Sequence, residues 1–236
     1  MKWVAFFSQT GSEILEISER LGYLPDRIVM NNDMDRKLNP ELVRIARNRF
    51  YNIRNKPTPF EYYENIQAGD LVTLHGWLRI VPKPVCDRFK IYNGHPGLIT
   101  TYPELKGKDP QKKAFELKHK DIGCIIHKVT SEVDGGEIQC CKITRNIYNN
   151  EEELIHKLHD MSVSLWVDFL IDYHDKRLKE KMSPEQYRKF MLDILETVDH
   201  DIAKQYDEER AEEPEYVEGS WNDLESIGRQ YNLIDY

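Results

Sequence analysis

The segment from Tyr92 to Gly136 contains the polar residues that most restrict how this chain can fold and act. Its polar residues follow two short apolar runs, the second of which, Gly123–Val129, predicts a buried strand. In chain order these polar residues are Asn93, His95 and Asp134. An amide, an imidazole and a carboxylate supply what acyl chemistry needs without a metal, namely an oxyanion donor, an acid–base group and a group that orients it. A strand-end turn followed by an ordinary Asp-Gly turn is the structural alternative.

Net charge is unevenly distributed along the 236 residues. The whole chain carries −8, but residues 199–236 hold 12 acidic and 3 basic side chains, which leaves residues 1–198 close to neutral at +1. The acidity therefore belongs to the C-terminal segment. A body without a basic stripe predicts no nucleic-acid partner, whereas a small anionic molecule remains compatible with it.

Hydropathy and cysteine content indicate the compartment. No run of about 18 apolar residues exists, so no membrane span is expected. The apolar start, Met1–Phe7, is too short and too aromatic for a secretory signal and predicts a first strand instead. The four cysteines, none in a Cys-x-x-Cys pair, are Cys86, Cys124, Cys140 and Cys141. Reduced thiols and a cytoplasmic location are therefore expected.

The first strand is followed by a turn that contains Gly11, and then by apolar residues at helical spacing. Backbone N–H groups at the start of such a helix can bind a phosphate. The alternative is a plain helix start with Ser12 as the N-cap and Glu13 favoured by the helix dipole. The residues alone leave both interpretations open.

A second loop, His75–Pro82, is apolar yet contains glycine and proline, and it follows a predicted strand at Leu71–Leu74. Ligands of open α/β sheets bind at the carboxyl ends of the strands. Apolar walls with a few backbone polar groups suit a flat heterocycle. A buried loop packed under a helix is compatible with the same residues.

Three spaced motifs in the Tyr92–Gly136 segment resemble the folate-dependent formyltransferases, and within them the glycinamide ribonucleotide formyltransferases. The family carries Asn-x-His-Pro, then Gly-x-x-x-His, then Asp-x-Gly. Here these motifs begin at Asn93, Gly123 and Asp134, and the aspartate follows the second histidine, His127, at the family's interval of seven. The His75–Pro82 loop also resembles the family's Gly-Phe-Met-Arg-Ile-Leu segment. The resemblance covers roughly residues 1–178.

This resemblance implies an α/β fold with a doubly wound, Rossmann-type sheet, helices on both faces and a C-terminal helical, acidic extension. It implies that N10-formyltetrahydrofolate is the formyl donor, that no metal is used, and that a small-molecule primary amine, phosphorylated in the family, is the acceptor. The implied catalytic residues are Asn93, His95 and Asp134. The implied donor-binding residues are Trp77, Leu78, Arg79, Ile80, Val81, Thr130 and Val133. The implied acceptor-binding residues are Gly11, Ser12 and His127.

The acceptor contacts of the family are incompletely reproduced. Glu13 stands where the family's phosphate loop has asparagine, and His159 and Ser162 stand where the family has a glutamine and a glutamate. Glycinamide ribonucleotide is the acceptor expected from the resemblance, and a nucleotide-linked amino sugar is the alternative. A non-catalytic module with this fold is a further alternative, which the intact motifs argue against.

The expected domains are a catalytic domain at residues 1–180 and a C-terminal helix with an acidic tail at residues 181–236. A proline-containing capping box at Ser183 predicts the start of the last helix. The last two helices could pair two subunits into a homodimer or pack on their own domain. The pattern does not decide between these arrangements.

Overall fold

A computed structural model of the chain describes residues 2–31 and 38–181, with residues 183, 185, 186, 188 and 189 beyond them. Strands and short helices alternate along the first two-thirds of the chain, and one long helix follows. The acidic segment beyond residue 199 and most of the predicted last helix lie outside the described residues.

Seven strands form one sheet. They are β1 (Trp3–Phe7), β2 (Arg27–Met30), β3 (Phe50–Asn52), β4 (Leu71–His75), β5 (Ile91–His95), β6 (Asp121–Lys128) and β7 (Ile138–Arg145). Their order across the sheet is β3-β2-β1-β4-β5-β6-β7. The first five strands pair in parallel, and β6 and β7 pair antiparallel to their neighbours. The chain order reverses direction between β1 and β4, where ligands of doubly wound sheets bind.

Within the described residues, five short α-helices connect the strands and a sixth, longer one follows β7. They are α1 (Ser12–Leu21), α2 (Pro40–Ala46), α3 (Pro59–Asn65), α4 (Lys83–Arg88), α5 (Pro110–Glu116) and α6 (Glu151–Lys181). Two start at side-chain caps: the side chain of Asn39 accepts from the first turn of α2, and Thr58 with Glu61 forms a capping box on α3. The side chain of Asn150 likewise accepts from the backbone N–H of Glu152 at the start of α6.

Side-chain alternation divides the core between the two faces of the sheet. One face packs Phe6, Val72 and Leu74 against Tyr62 of α3 and Val85 of α4. The other face packs against the first part of α6, through the ring contacts of His75 with Trp166 and of Tyr92 with Phe169, and against α1, through the hydrogen bond of His75 with Glu13. Helices therefore cover both faces, and the predicted α/β fold class is confirmed.

Helix α2 ends at Ala46, and Phe50 begins the short edge strand β3. The chain divides into two compact units, Met1–Phe169 and Leu170–Tyr236. The expected domain boundary at residue 180 stays a prediction.

Among the described residues, no helix combines the length and the apolar character needed to cross a lipid bilayer.

Gly123 makes a close backbone contact that tests the pairing of β6 with β7. A Cβ atom at this position would lie 2.1 Å from the backbone oxygen of Lys142 and 2.7 Å from Leu98 Cδ2. We expect Gly123→Ala to lower the free energy of unfolding by about 1–3 kcal/mol, because the neighbouring backbone cannot move away. Urea denaturation measures the change, and Cys141→Ala, at an exposed position of β7, is the control. Equal stability of the two variants would contradict this strand pairing.

Candidate active site

The register of three strands brings three predicted site residues together. Asn93 of β5 lies beside Leu74 of β4 and opposite His127 of β6. Paired positions of neighbouring strands point to the same face, and His95 follows Asn93 by two residues, so the three polar side chains share one face. They stand at the carboxyl end of β5, next to the point where the strand order reverses.

Asp134 completes the cluster from the loop between β6 and β7. Its φ of +48° lies in the left-handed region, which asparagine and aspartate tolerate better than most residues. One carboxylate oxygen, Oδ2, lies 3.5 Å from His95 Nδ1, and the other, Oδ1, lies 3.4 Å from His127 Nε2. The backbone N–H of Gly107 donates a hydrogen bond of 2.8 Å to Oδ2. The carboxylate therefore lies between two imidazoles.

Hydrogen-bond partners fix the proton positions on His95. Its Nε2 lies 2.9 Å from the backbone oxygen of Leu105, which can only accept, so Nε2 carries a hydrogen. Nδ1 faces the carboxylate of Asp134. A second proton on this imidazole would therefore reside at Nδ1, where the carboxylate stabilises it.

The amide of Asn93 contacts the second imidazole. Its Nδ2 lies 3.1 Å from His127 Nε2, and His127 Nδ1 lies 3.1 Å from the backbone oxygen of Lys128. The carbonyl requires a hydrogen on Nδ1, so the amide can donate one N–H to Nε2 of the neutral ring. This arrangement uses one of the two amide hydrogens of Asn93.

The pKa values of Asp134 and His95 are both lowered, but for different reasons. Burial raises the pKa of Asp134, but the neighbouring imidazoles of His127 and His95 and the hydrogen bond from the N–H of Gly107 outweigh it and lower that pKa from 3.8 to about 2. Burial lowers the pKa of His95 and outweighs the opposing effects of Asp134 and the Leu105 carbonyl. His95 is therefore neutral at neutral pH. The Asp134 carboxylate opposes the effect of burial on this pKa, but it does not make the charged imidazole the resting form.

The loop after β4 presents apolar side chains to solvent. Leu78 and Ile80 are 47% and 70% exposed, and Val133 of the Asp134 loop is 49% exposed. Trp77 and Val81 belong instead to the core, so only their backbone could contact a ligand. Both loops adjoin that same core cluster, to which Val129 also belongs. The exposed apolar residues thus flank the site from one face of the sheet.

Backbone hydrogen bonds hold these two loops in place. The hydroxyl of Ser8 accepts a hydrogen bond of 3.0 Å from the N–H of Leu78. Arg79 donates to the backbone oxygens of Asn55 and Leu78. Thr130 Oγ1 donates to the backbone oxygen of Glu132, 3.2 Å away. The predicted donor-binding residues Arg79 and Thr130 therefore shape the loops through backbone contacts.

The predicted acceptor loop at the start of α1 is also ordered by packing. Gly11 has a φ of +80°, and a Cβ there would lie 2.6 Å from Leu42 Cδ2 of α2. Gly11, not Ser12, is the N-cap residue, so the N-cap interpretation of Ser12 is wrong. The Ser12 hydroxyl instead accepts a hydrogen bond of 3.1 Å from the Asn39 side chain.

The segment Leu105–Gly107 was not identified from the sequence as part of the site. It holds both His95, through the oxygen of Leu105, and Asp134, through the N–H of Gly107. Its only sequence signal is Gly107, whose φ of +83° suits glycine. A cavity of about 390 Å³ adjoins Asp134 and is also lined by Lys106, Ile99 and Ile138, so the carboxylate can be reached from solvent.

The histidine pair on α6 does not form a metal site. His159 Nε2 lies 2.9 Å from Glu16 Oε1 of α1, and His156 is exposed. Within the described ranges 2–31 and 38–181, no group of three or more histidine, cysteine, aspartate or glutamate side chains could hold a metal ion.

Comparison with known proteins identifies the family. The family model described as formyl transferase matches residues 33–170, which is more than half of the chain. The chain therefore belongs to the formyl transferase family. The predicted resemblance to this family is confirmed.

Individual relatives agree with this assignment. Phosphoribosylglycinamide formyltransferase of Haemophilus influenzae is 32% identical over 101 residues, which are 42% of this chain and 46% of that enzyme. The match thus spans less than half of that relative's length. A mitochondrial formyltetrahydrofolate deformylase of Arabidopsis thaliana is 26% identical over 121 residues, or 50% of this chain and 36% of the relative.

Solved structures show the same fold. The crystal structure of phosphoribosylglycinamide formyltransferase from Campylobacter jejuni superposes with a TM-score of 0.63 at 23% identity, covering 74% of this chain and 97% of that one. At this identity the likeness establishes the architecture alone.

The lowered pKa of Asp134 predicts how stability depends on pH. Because its folded-state pKa is about 2 against an ordinary 3.8, the ionised carboxylate stabilises the fold above about pH 4, and this contribution is lost as pH falls from about 4 to 2. We expect Asp134→Asn to be less stable than the wild type at pH 6 and the difference to shrink toward pH 3. Urea denaturation across this range measures it.

Asp87→Asn is the control, since Asp87 forms only a surface pair with Lys83 and its side chain is 59% exposed. A stability difference between wild type and Asp134→Asn that stays constant from pH 6 to pH 3 would contradict the ionised, stabilising carboxylate.

Proposed function

We propose that this protein transfers the formyl group of N10-formyltetrahydrofolate to a primary amine of a small-molecule acceptor. The observation that carries the proposal is the convergence of Asn93, His95, His127 and Asp134 at the carboxyl edge of the sheet. Membership of the formyl transferase family supports it. No step requires a metal ion.

The loops on either side of the cluster fit the folate donor. Leu78, Ile80 and Val133 form an exposed apolar surface that a pterin and its aromatic neighbour would cover. Backbone groups of Trp77–Val81 would bind the polar edge of the heterocycle, while Arg79 and Thr130 hold the two loops in shape. The donor thus supplies an activated formyl group beside Asn93.

The amide of Asn93 would stabilise negative charge on the formyl oxygen. As the amine nitrogen bonds to the formyl carbon, charge develops on that oxygen, and fixed donors stabilise it better than mobile water. One amide N–H faces His127, which holds the side chain, and the other remains for the oxyanion. The bond from the formyl carbon to the folate nitrogen then breaks.

His95 would transfer the proton that the amine must lose. Its neutral form can accept a proton at Nδ1, beside the carboxylate, and release it to the departing folate nitrogen. Asp134, with a pKa of about 2, stays ionised and stabilises the transient imidazolium. His127 positions both Asn93 and Asp134. One proton therefore moves from the amine to the folate nitrogen, and no net charge is left behind.

Gly11, Ser12 and His127 are the proposed acceptor-side residues. The names of the relatives suggest phosphoribosylglycinamide as the acceptor. A nucleotide-linked amino sugar is the alternative, because Glu13 adds a carboxylate to the acceptor loop. We further propose a cytoplasmic location, which the reduced state of the four cysteines supports. The expected homodimer stays a prediction.

A panel of amines incubated with N10-formyltetrahydrofolate would identify the acceptor by consumption of the formyl donor. Loss of formyl that needs one particular amine supports a transferase with that substrate. Loss of formyl with water alone would indicate the hydrolysis catalysed by deformylase relatives. Loss in neither case would favour a non-catalytic module.

We expect His95→Ala and Asp134→Ala each to lower turnover by at least about 100-fold, because one removes the proton carrier and the other its stabilising charge. Formyl-donor consumption measures the rate. His156→Ala, an exposed histidine of α6 outside the site, is the matched control and should leave the rate unchanged. Near-normal turnover of His95→Ala would refute the role of this imidazole.

A further inference from the structure

A buried chain of hydrogen bonds lies on the face of the sheet opposite to Asn93. Trp3 Nε1 donates to Thr73 Oγ1 at 2.8 Å, Thr73 Oγ1 lies 2.8 Å from His75 Nε2, and His75 Nδ1 lies 2.9 Å from Glu13 Oε2. Because Leu74 shares the face of Asn93, its neighbour His75 points to the other face. The chain of bonds therefore runs from the sheet to the start of α1.

Two side chains hold the Glu13 carboxylate by hydrogen bonds. Thr73 accepts from Trp3, so its own hydrogen is available to His75 Nε2, and the imidazole donates from Nδ1 to the carboxylate. Ser162 of α6 donates to Glu13 Oε1 at 2.6 Å. Burial raises the pKa of Glu13, but the bond and charge of His75 and the bond from Ser162 outweigh it, so this pKa is lowered.

Glu13 retains capacity to bind a further donor. Each carboxylate oxygen accepts one hydrogen bond from the protein and has a second lone pair, and the side chain remains 21% exposed. In the described part of the chain, no lysine or arginine forms an ion pair with it. A ligand at this loop therefore meets a fixed negative charge.

Two side chains, His75 and Trp166, lie between the Glu13 carboxylate and the proposed catalytic residues. The ring of His75 packs against that of Trp166 at a tilt of 47°, with ring centroids 4.6 Å apart. Trp166 Nε1 lies 2.5 Å from where a Cβ of Gly94 would be, and Gly94 separates Asn93 from His95. This indole N–H is buried with no hydrogen-bond partner within the described residues. Glu13 and the loop after β4, where the folate is proposed to bind, thus flank Asn93 from opposite faces of the sheet.

A second side-chain contact between α1 and α6 lies one turn further along α1. Glu16 pairs with His159 of α6, as Glu13 pairs with Ser162. The three positions at which the chain departs from the expected acceptor contacts, Glu13, His159 and Ser162, are therefore coupled through α1 and α6. The surface between these helices therefore carries the carboxylates of Glu13 and Glu16, which repel an anionic ligand.

We infer that Glu13 selects the acceptor by accepting hydrogen bonds from its hydroxyl or ammonium groups and by excluding a phosphate from the start of α1. This inference rests on the proposed formyl transfer and specifies its acceptor class: an amine that presents hydroxyl groups, not a phosphate, to this loop.

The test compares two amines that differ only by a phosphate, phosphoribosylglycinamide and its dephosphorylated riboside. Binding of each to the full-length protein with bound folate is measured by calorimetry, and formyl transfer is measured separately. We expect the wild type to bind the riboside more tightly. Glu13→Gln, which removes the charge and keeps the size, should shift the preference toward the phosphorylated amine by at least about 10-fold.

Glu19→Gln is the matched control, because it makes the same change at an exposed position of α1 and should leave the preference unchanged. A wild-type preference for the phosphorylated amine would overturn the inference. A preference in Glu13→Gln within about twofold of the wild type, or no binding of either amine by either protein, would also overturn it. Bound amine with no formyl transfer would instead count against the proposed function.

Ser162→Ala provides a second variant should Glu13→Gln not fold. It leaves the bond from His75 to Glu13 intact and removes only the anchor of the other oxygen. The preference for the riboside should fall by a smaller factor of about 3, the scale of one weakened hydrogen bond. An unchanged preference in this variant would contradict selection by an anchored Glu13.

Discussion

The pairing of β4, β5 and β6 is the constraint on which the rest of the site depends. Parallel pairing sets Asn93 beside Leu74, and antiparallel pairing sets it opposite His127. A slip of one residue in β5 would turn both Asn93 and His95 to the other face of the sheet. The register of the sheet, rather than any single turn, therefore decides that an amide and two imidazoles meet. The Asp134 loop then adds the carboxylate between the imidazoles.

The sheet edge would separate the two proposed substrates by face. Exposed apolar residues of the loop after β4, and Val133, flank the cluster on the side of α3 and α4. Glu13, held by His75 and Ser162, flanks it on the side of α1 and α6. Donor and amine would thus approach Asn93 from opposite faces, and the two binding surfaces can change independently. Such a separation would allow a member of the formyl transferase family to keep Asn93, His95 and Asp134 while Glu13 changes the proposed acceptor surface.

Local patterns predicted much of this arrangement, and contacts between distant residues account for the rest. The helix starts at Asn39 and Thr58 follow from cap residues and prolines that act over three or four positions. Asn93, His95 and Asp134 could be identified because they lie in sequence motifs with a characteristic spacing. The contact of Glu13 with His75 spans 62 residues, and its contact with Ser162 spans 149. Neither contact could therefore be predicted from a local sequence pattern. The lowered pKa of His95 was missed because burial, which outweighs Asp134, is a property of the folded core.

The proposed mechanism requires that Asn93 faces the formyl oxygen of a folate held against the loop after β4. A crystal structure with a folate analogue whose formyl group cannot be transferred tests this requirement directly. We expect the formyl oxygen to lie about 2.7–3.2 Å from Asn93 Nδ2, with the heterocycle against Leu78 and Ile80. An analogue bound elsewhere, or a formyl oxygen out of hydrogen-bonding reach of this amide, would contradict it.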